Sequence, residues 1–152
     1  MRVRELMSGD VETVGPGHSC HDAIRAMTKN RLRHLPVVAS HGSLAGMITD
    51  RDIRHYLLRP DVYARLGVAD IPTLLGEVTV SEIMSWPPTT ITADAEITEA
   101  AAVMRRAKIG SLLVVDGPQL AGIVTETDLL REILRANELC TADVEAIVVS
   151  YP

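Results

Sequence analysis

The chain has 152 residues, 47% of them apolar, no Phe, one Trp and three Tyr, so one compact domain or two small joined halves must be built around an aliphatic core. The formal net charge of −5 gives no broad cationic surface of the kind that grips DNA or RNA, although a small anion needs only a local basic spot. No run approaches the ~18 consecutive apolar residues of a membrane span, and the first residues lack the apolar centre of a signal peptide. Cys20 and Cys140 form no Cys-x-x-Cys pair, and two lone thiols point to a reducing compartment, so a cytoplasmic location is expected.

Taken in order, the predicted elements occur twice. Val3-Arg-Glu-Leu-Met7-Ser8 returns as Val80-Ser-Glu-Ile-Met84-Ser85, 77 residues on. The same spacing relates Thr13 to Thr90, Ala23 to Ala100, Met27 to Met104, and Val37-Val38 to Val114-Val115. One residue then drops out of a turn, and Leu44-Ala-Gly-Met-Ile-Thr49 aligns with Leu120-Ala-Gly-Ile-Val-Thr125 at a spacing of 76, which also relates Asp52 to Asp128. A repeat of this length is the strongest organising signal in the chain.

Each copy opens with a short lead helix ending near Met7 or Met84, followed by an extended stretch, Val11–Val14 or Thr89–Thr92. A helix of about three turns follows. In the first copy Ser19 is its predicted N-cap with Asp22 three residues on, and Ala23, Ile24 and Met27 share its apolar face, as Ala100, Ala101 and Met104 do later. Two strands joined by a hairpin turn come next, His34–Val38 with Leu44–Thr49 and Ser111–Val115 with Gln119–Thr125. A closing helix carries Ile53, Leu57 and Leu58, or Leu129, Ile133 and Leu134. The fold class is therefore α/β (α+β): two β-α-β-β-α repeats, residues 1–58 and 80–137, packed about a pseudo-twofold axis. Residues 59–79 are a structured connection with one short helix, and 138–152 are a tail in which Val144–Val149 is expected to be extended. One unit of about fifty residues buries too little surface to stand alone. Pairing two leaves related clefts between them, a common place for ligands.

The runs Gly46-Met-Ile-Thr49-Asp-Arg-Asp52-Ile and Gly122-Ile-Val-Thr125-Glu-Thr-Asp128-Leu, with Arg33-His34-Leu-Pro-Val-Val38 and Met84-Ser85 before Thr90, resemble the signature of cystathionine-β-synthase (CBS) domains. The resemblance spans about residues 2–137 apart from the connection. It is that of a stand-alone CBS pair (a Bateman module) similar to bacterial acetoin-utilisation-type proteins. It implies an adenine-containing ligand: AMP, ADP, ATP or S-adenosylmethionine. It implies that Asp52 and Asp128 hold ribose hydroxyls while Thr49 and Thr125 touch ribose or phosphate, with free amides of the following helix facing the phosphate. Arg33 and His34 stand where family members reach phosphates. Gly110 and Ser111 replace them in the second copy, so unequal sites are expected, the Arg33–His34 side favouring phosphate. Thr13 and Thr90 fall where the adenine edge is contacted, and Ile48 and Val124 are candidate apolar walls around the base.

Each motif has a plainer reading. Thr-x-x-Asp at a helix start is also a capping box, Arg33 and His34 can be solvated strand-start residues, and Met27 with Met104 are core. His18, Cys20 and His21 are metal-ligand types, but the second copy has no counterpart and no metal site is expected. There is no Gly-x-x-x-x-Gly-Lys, Gly-x-Ser-x-Gly or His-Glu-x-x-His, and no enzyme is expected. The reading is a regulatory sensor, a homodimer by resemblance, with no obligatory cofactor. It would modulate a separate effector protein and contact neither nucleic acid nor membrane. The alternative is a ligand-free dimerisation scaffold.

Overall fold

The structure is a computed structural model and describes residues 1–136. The expected extended segment Val144–Val149 and Cys140 lie outside the described residues. A 3₁₀ turn, Val3–Glu5, leads the first copy. Then come α1 (Cys20–Asn30), β1 (His34–Val38), β2 (Leu44–Thr49) and α2 (Asp50–Leu57). The connection holds two short helices rather than the one expected, α3 (Pro60–Tyr63) and α4 (Ile71–Gly76). Pro60 starts the first, and the Asp70 side chain accepts from the Thr73 amide to cap the second. The second copy runs α5 (Val80–Ile83), β3 (Thr90–Thr92), α6 (Ile97–Ala107), β4 (Ser111–Asp116), β5 (Gln119–Thr125) and α7 (Glu126–Ala136).

β1 and β2 pair antiparallel, as do β4 and β5, and β3 joins β4 in parallel. The first copy has no full counterpart of β3. Its Val11–Val14 stretch makes a single parallel bridge, Val14 to Val37. Both hairpins carry a register irregularity at the same place, Val37/Val38 and Val114/Val115. The two sheets meet through an antiparallel bridge from Ser43 to Gln119.

The two copies exchange their lead segments. Val3 and Arg4 donate to the carbonyls of Ala95 and Ala93, just before α6 (both 2.9 Å), while Val80 and Ser81 donate to His18 and Pro16, just before α1 (2.8 and 3.0 Å). Val3 is thereby fully buried with Ala100, Met104, Leu112, Val114 and Val124, and Val80 with Ala23, Met27, Leu35, Val37 and Ile48. After each lead turn the chain bridges the other copy's second strand, Ser8 to Ile123 and Ser85 to Met47. Gly46 and Gly122 permit this approach. A Cβ on Gly46 would lie 2.7 Å from Met84 Sδ, and one on Gly122 only 2.6 Å from the Ser8 carbonyl oxygen. Burying one aliphatic side chain contributes about 1.5–3 kcal/mol, so each copy depends on the other for part of its core.

Among the described residues no helix is long and apolar enough to cross a membrane. Cys20 is buried, and burial together with the Glu82 carboxylate pushes its thiol up to about 11.

Candidate functional site

Two clefts open between the copies. The first, about 710 Å³, is lined by Thr49 and Asp52, by Arg33, His34 and Ser111, by Pro87, Pro88 and Thr89, and by the end of α6. The second, about 520 Å³, is lined by Thr125 and Asp128, by Asp10, Val11 and Glu12, and by the end of α1. Both volumes fit a small ligand. The exchange of lead segments explains the pairing: each Thr-x-x-Asp faces the loop that follows the other copy's lead turn.

The Thr-x-x-Asp pairs are capping boxes. Thr49 Oγ1 accepts from the Asp52 amide at 3.2 Å, and Asp52 Oδ2 accepts from the Thr49 amide and hydroxyl at 2.8 and 2.7 Å. Thr125 and Asp128 repeat this at 2.9, 2.7 and 3.3 Å. Capping uses only one carboxylate oxygen, however. Asp52 Oδ1 makes no hydrogen bond to another described residue, whereas Asp128 Oδ1 accepts from Arg131 at 3.2 Å. The fixed Oδ2 orients the carboxylate, and the free Oδ1 of Asp52 can accept from a hydroxyl of a ligand.

The helix starts are less open to an anion than expected. The amides of Asp50 and Glu126 are taken by the carbonyls of Arg33 and Gly110 (3.1 and 2.9 Å), and those of Asp52 and Asp128 by the threonines. The positive charge of the clefts is carried by side chains. Arg33 and His34 line both clefts rather than one, which removes the expected basis for inequality between them. The inequality lies elsewhere. The first cleft has Arg33, Arg51, Arg54, Arg105 and Lys108 against Asp50, Asp52 and Glu126. The second has Arg31, Arg33 and Arg131 against Asp10, Glu12, Glu126 and Asp128. Arg54 is paired with Asp50 at 3.0 Å, while Arg33, Arg51, Arg105 and Lys108 have no ion-pair partner among the described residues.

Other residues fall differently. Ile48 and Val124 line neither cleft. They are fully buried in the two cores, because alternate strand residues face opposite ways. Their neighbours Met47 and Ile123 line the clefts instead. Thr13 and Thr90 also lie off both clefts, and the residues just before them, Glu12 and Thr89, are on the walls. Ser111 is a buried wall residue of the first cleft only. Among the described residues no group of three His, Cys, Asp or Glu is placed to hold a metal ion.

Arg51, Arg105, Lys108, Asp10 and Glu12 escaped the sequence reading. A usable signal was the helix C-caps. α1 and α6 end on Arg31 and Lys108, both left-handed with φ 55°, where glycine is the ordinary residue. Both copies thus keep a long cation in a conformation that costs an L-residue roughly 1 kcal/mol, and both cations line a cleft. Lys108→Gly is accordingly expected to raise stability by up to about 1 kcal/mol while weakening anion binding in the first cleft, read by denaturant unfolding and ligand titration of the same variant.

His34 pairs across the hairpin with Thr49 and is partly buried. Burial, then Arg33, holds its imidazole below the ordinary 6.5, outweighing the carboxylates of Asp50, Glu126 and Asp52, which pull it up. The folded state therefore prefers neutral His34. That contribution to stability is complete above about 6.5 and is lost as pH falls below it.

The CBS-domain family profile matches residues 3–59 and 80–135. A CBS domain-containing protein of Dictyostelium discoideum is 34% identical over 137 residues, covering 90% of this chain and 93% of its own. The chain spans only 45% of a longer relative from Thermofilum pendens, 32% identical over 143 residues. Among solved structures, the acetoin utilization protein AcuB from Vibrio cholerae superposes with a TM-score of 0.71 at 27% identity, over 91% of this chain and 94% of its own. The CBS domain pair of protein MJ0100, solved with 5′-methylthioadenosine and S-adenosyl-L-methionine, superposes at 0.71 and 26% identity, over 90% and 98%.

Proposed function

The chain belongs to the CBS-domain family, and on that premise we propose that it is a regulatory sensor that binds an adenine nucleotide in its first cleft and modulates a separate partner protein. The observation that carries this reading is the Asp52 Oδ1, without a hydrogen-bond partner among the described residues, on the wall of a 710 Å³ cleft that also presents four cations without ion-pair partners among those residues. In this reading the carboxylate oxygen takes the ribose hydroxyls and Arg33, Arg51, Arg105 and Lys108 take the phosphates. Arginine suits that task because its guanidinium forks two hydrogen bonds to an oxyanion. That MJ0100 was solved with two adenosyl ligands supports the ribose assignment.

A micromolar site releases about 8 kcal/mol. Part of that free energy can bias the angle between the copies if the ligand binds one arrangement better. The exchanged lead segments give such a bias a route, because the loop that walls each cleft also anchors one copy to the other. We further propose a homodimer, supported by apolar side chains exposed on the closing helices: Leu58 (67%) after α2 and Leu130 (59%) on α7. Sedimentation velocity tests it.

Calorimetric titration of the full chain with AMP, ADP, ATP and S-adenosylmethionine tests the sensor reading. Micromolar binding of at least one nucleotide is expected, and indifference of the folded protein to all four would leave a dimerisation scaffold. The pH dependence has a definite sign. A phosphate beside His34 favours its imidazolium, which burial otherwise holds below the ordinary 6.5, so binding takes up a proton and affinity should rise as pH falls toward that range. His34→Gln separates this uptake from titration of the nucleotide itself, since only the wild-type excess belongs to the imidazole.

A further inference from the structure

The pseudo-twofold relation allows the two clefts to be compared position by position, and the comparison reverses their charge. Pro87, Pro88 and Thr89 on the wall of the first cleft correspond, 77 residues apart, to Asp10, Val11 and Glu12 on the wall of the second. Arg51 of the first cleft corresponds to Thr127 of the second. Arg33 corresponds to Gly110, and the space beside that glycine is held by a carboxylate. A Cβ on Gly110 would lie 3.2 Å from Glu126 Oε1. Arg33, Gly110 and Glu126 border both clefts and the helix starts carry equivalent carboxylates, Asp50 and Glu126, so the reversal comes from Asp10 and Glu12 in the second cleft and from Arg51 in the first. Asp128 is itself held by Arg131, which uses up one of the three cations of the second cleft.

We propose that the second cleft is a nucleoside site that rejects phosphate, taking a ligand without a phosphate group and binding it most tightly when its 5′ substituent is positively charged. This rests on the reading of the clefts as nucleoside sites. Asp10 and Glu12 are its specificity-determining residues, because they face the second cleft alone, whereas Arg33, His34, Gly110 and Glu126 are common to both. The two clefts then answer to different ligand classes. The shared wall places the anionic end of one ligand beside the uncharged or cationic end of the other, so filling one cleft does not oppose filling the other.

Three probes on one scaffold test it: AMP, adenosine and 5′-amino-5′-deoxyadenosine, which carry a negative, a neutral and a positive 5′ substituent. Titrated calorimetrically into the Asp52→Asn full chain, whose first cleft is weakened, they should bind in the order amine, adenosine, AMP, with about tenfold or more between the ends. Into Asp128→Asn the order should be reversed. Asp10→Asn with Glu12→Gln, two exposed positions whose neutralisation leaves the fold intact, should shift the order in the second cleft toward AMP by about tenfold. Gly110→Arg should do the same from the other wall. AMP binding the second cleft as tightly as the amine, or an order unmoved by the double variant, would overturn this assignment and leave the sensor reading standing. Binding of none of the three in either background, with thermal unfolding intact, would overturn both.

Discussion

Asp52→Ala is expected to weaken AMP binding about thirty- to one-hundredfold, while Asp128→Ala changes it less than about threefold. The asymmetry follows from which carboxylate oxygen is free. Asp52 Oδ2 is committed to Thr49 while Oδ1 has no hydrogen-bond partner among the described residues, so on the proposed reading truncation removes a charge-assisted hydrogen bond to the ligand worth about 2–3 kcal/mol. Asp128 lies in a cleft with four carboxylates against three arginines, and its Oδ1 is occupied by Arg131. Both substitutions also remove half of a capping box, so each should lower stability by a similar amount, about 1 kcal/mol. That common cost is the internal control. If loss of affinity only tracked loss of stability, the two variants would behave alike. Asp52→Asn separates the roles further, because its amide oxygen can still cap through Oδ1 while the negative charge is gone. Equal loss of AMP binding in both alanine variants would show that the two clefts share the nucleotide. No loss in Asp52→Ala, with titratable binding retained, would remove Thr-x-x-Asp from ligand contact and leave it as helix capping.

The repeat was legible because it is local. The spacing of 77, shifting to 76 after one turn, places α1 against α6 and each hairpin against its copy, and the four hairpin strands lie where alternation and turn residues put them. Ser19 caps α1 by accepting from the Asp22 amide, as its position predicted. What could not be read was which sheet each lead segment covers. Val3 and Val80 show only that a short apolar face exists, and the choice between covering one's own sheet and covering the partner copy's is made by tertiary packing. The trace in the sequence was the glycine inside each second strand, Gly46 and Gly122, since a glycine in a strand interior often marks a close backbone approach. The same gap explains the misplaced wall residues. Ile48 and Val124 are adjacent in sequence to the cleft-lining Met47 and Ile123, and a one-residue step along a strand turns a side chain from cleft to core. The cations of the first cleft come from three elements, Arg33 at the hairpin, Arg51 and Arg54 on α2, and Arg105 with Lys108 at the end of α6. No spacing within one copy could have gathered them.

The exchange of lead segments makes the two strand glycines the most sensitive positions for cleft integrity. Gly122→Ala is expected to cost about 1–3 kcal/mol, the range for overpacking a close contact, and to lower the melting temperature by roughly 3–10 °C in a chain of this size. A Cβ there would sit 2.6 Å from the Ser8 carbonyl oxygen. That atom cannot swing aside as a side chain would, because Ser8 and Ile123 exchange backbone hydrogen bonds at 2.9 and 3.0 Å. Gly46→Ala meets Met84 Sδ at 2.7 Å, which can yield, and the Ser85 carbonyl at 2.9 Å, which is held by the Met47 amide. It should therefore cost somewhat less. The functional consequences should be opposite in kind. Gly122→Ala displaces the segment that carries Ser8, Asp10 and Glu12 and so disturbs the second cleft, leaving AMP binding in the first nearly intact. Gly46→Ala displaces Ser85 to Thr89 from the first cleft, so the milder stability change should bring the larger loss of nucleotide affinity. Hydrogen exchange at the Ser8 and Ser85 amides reports which lead segment has been released. Affinity that followed melting temperature in both variants, with no such crossover, would mean that the clefts do not depend on the exchanged segments.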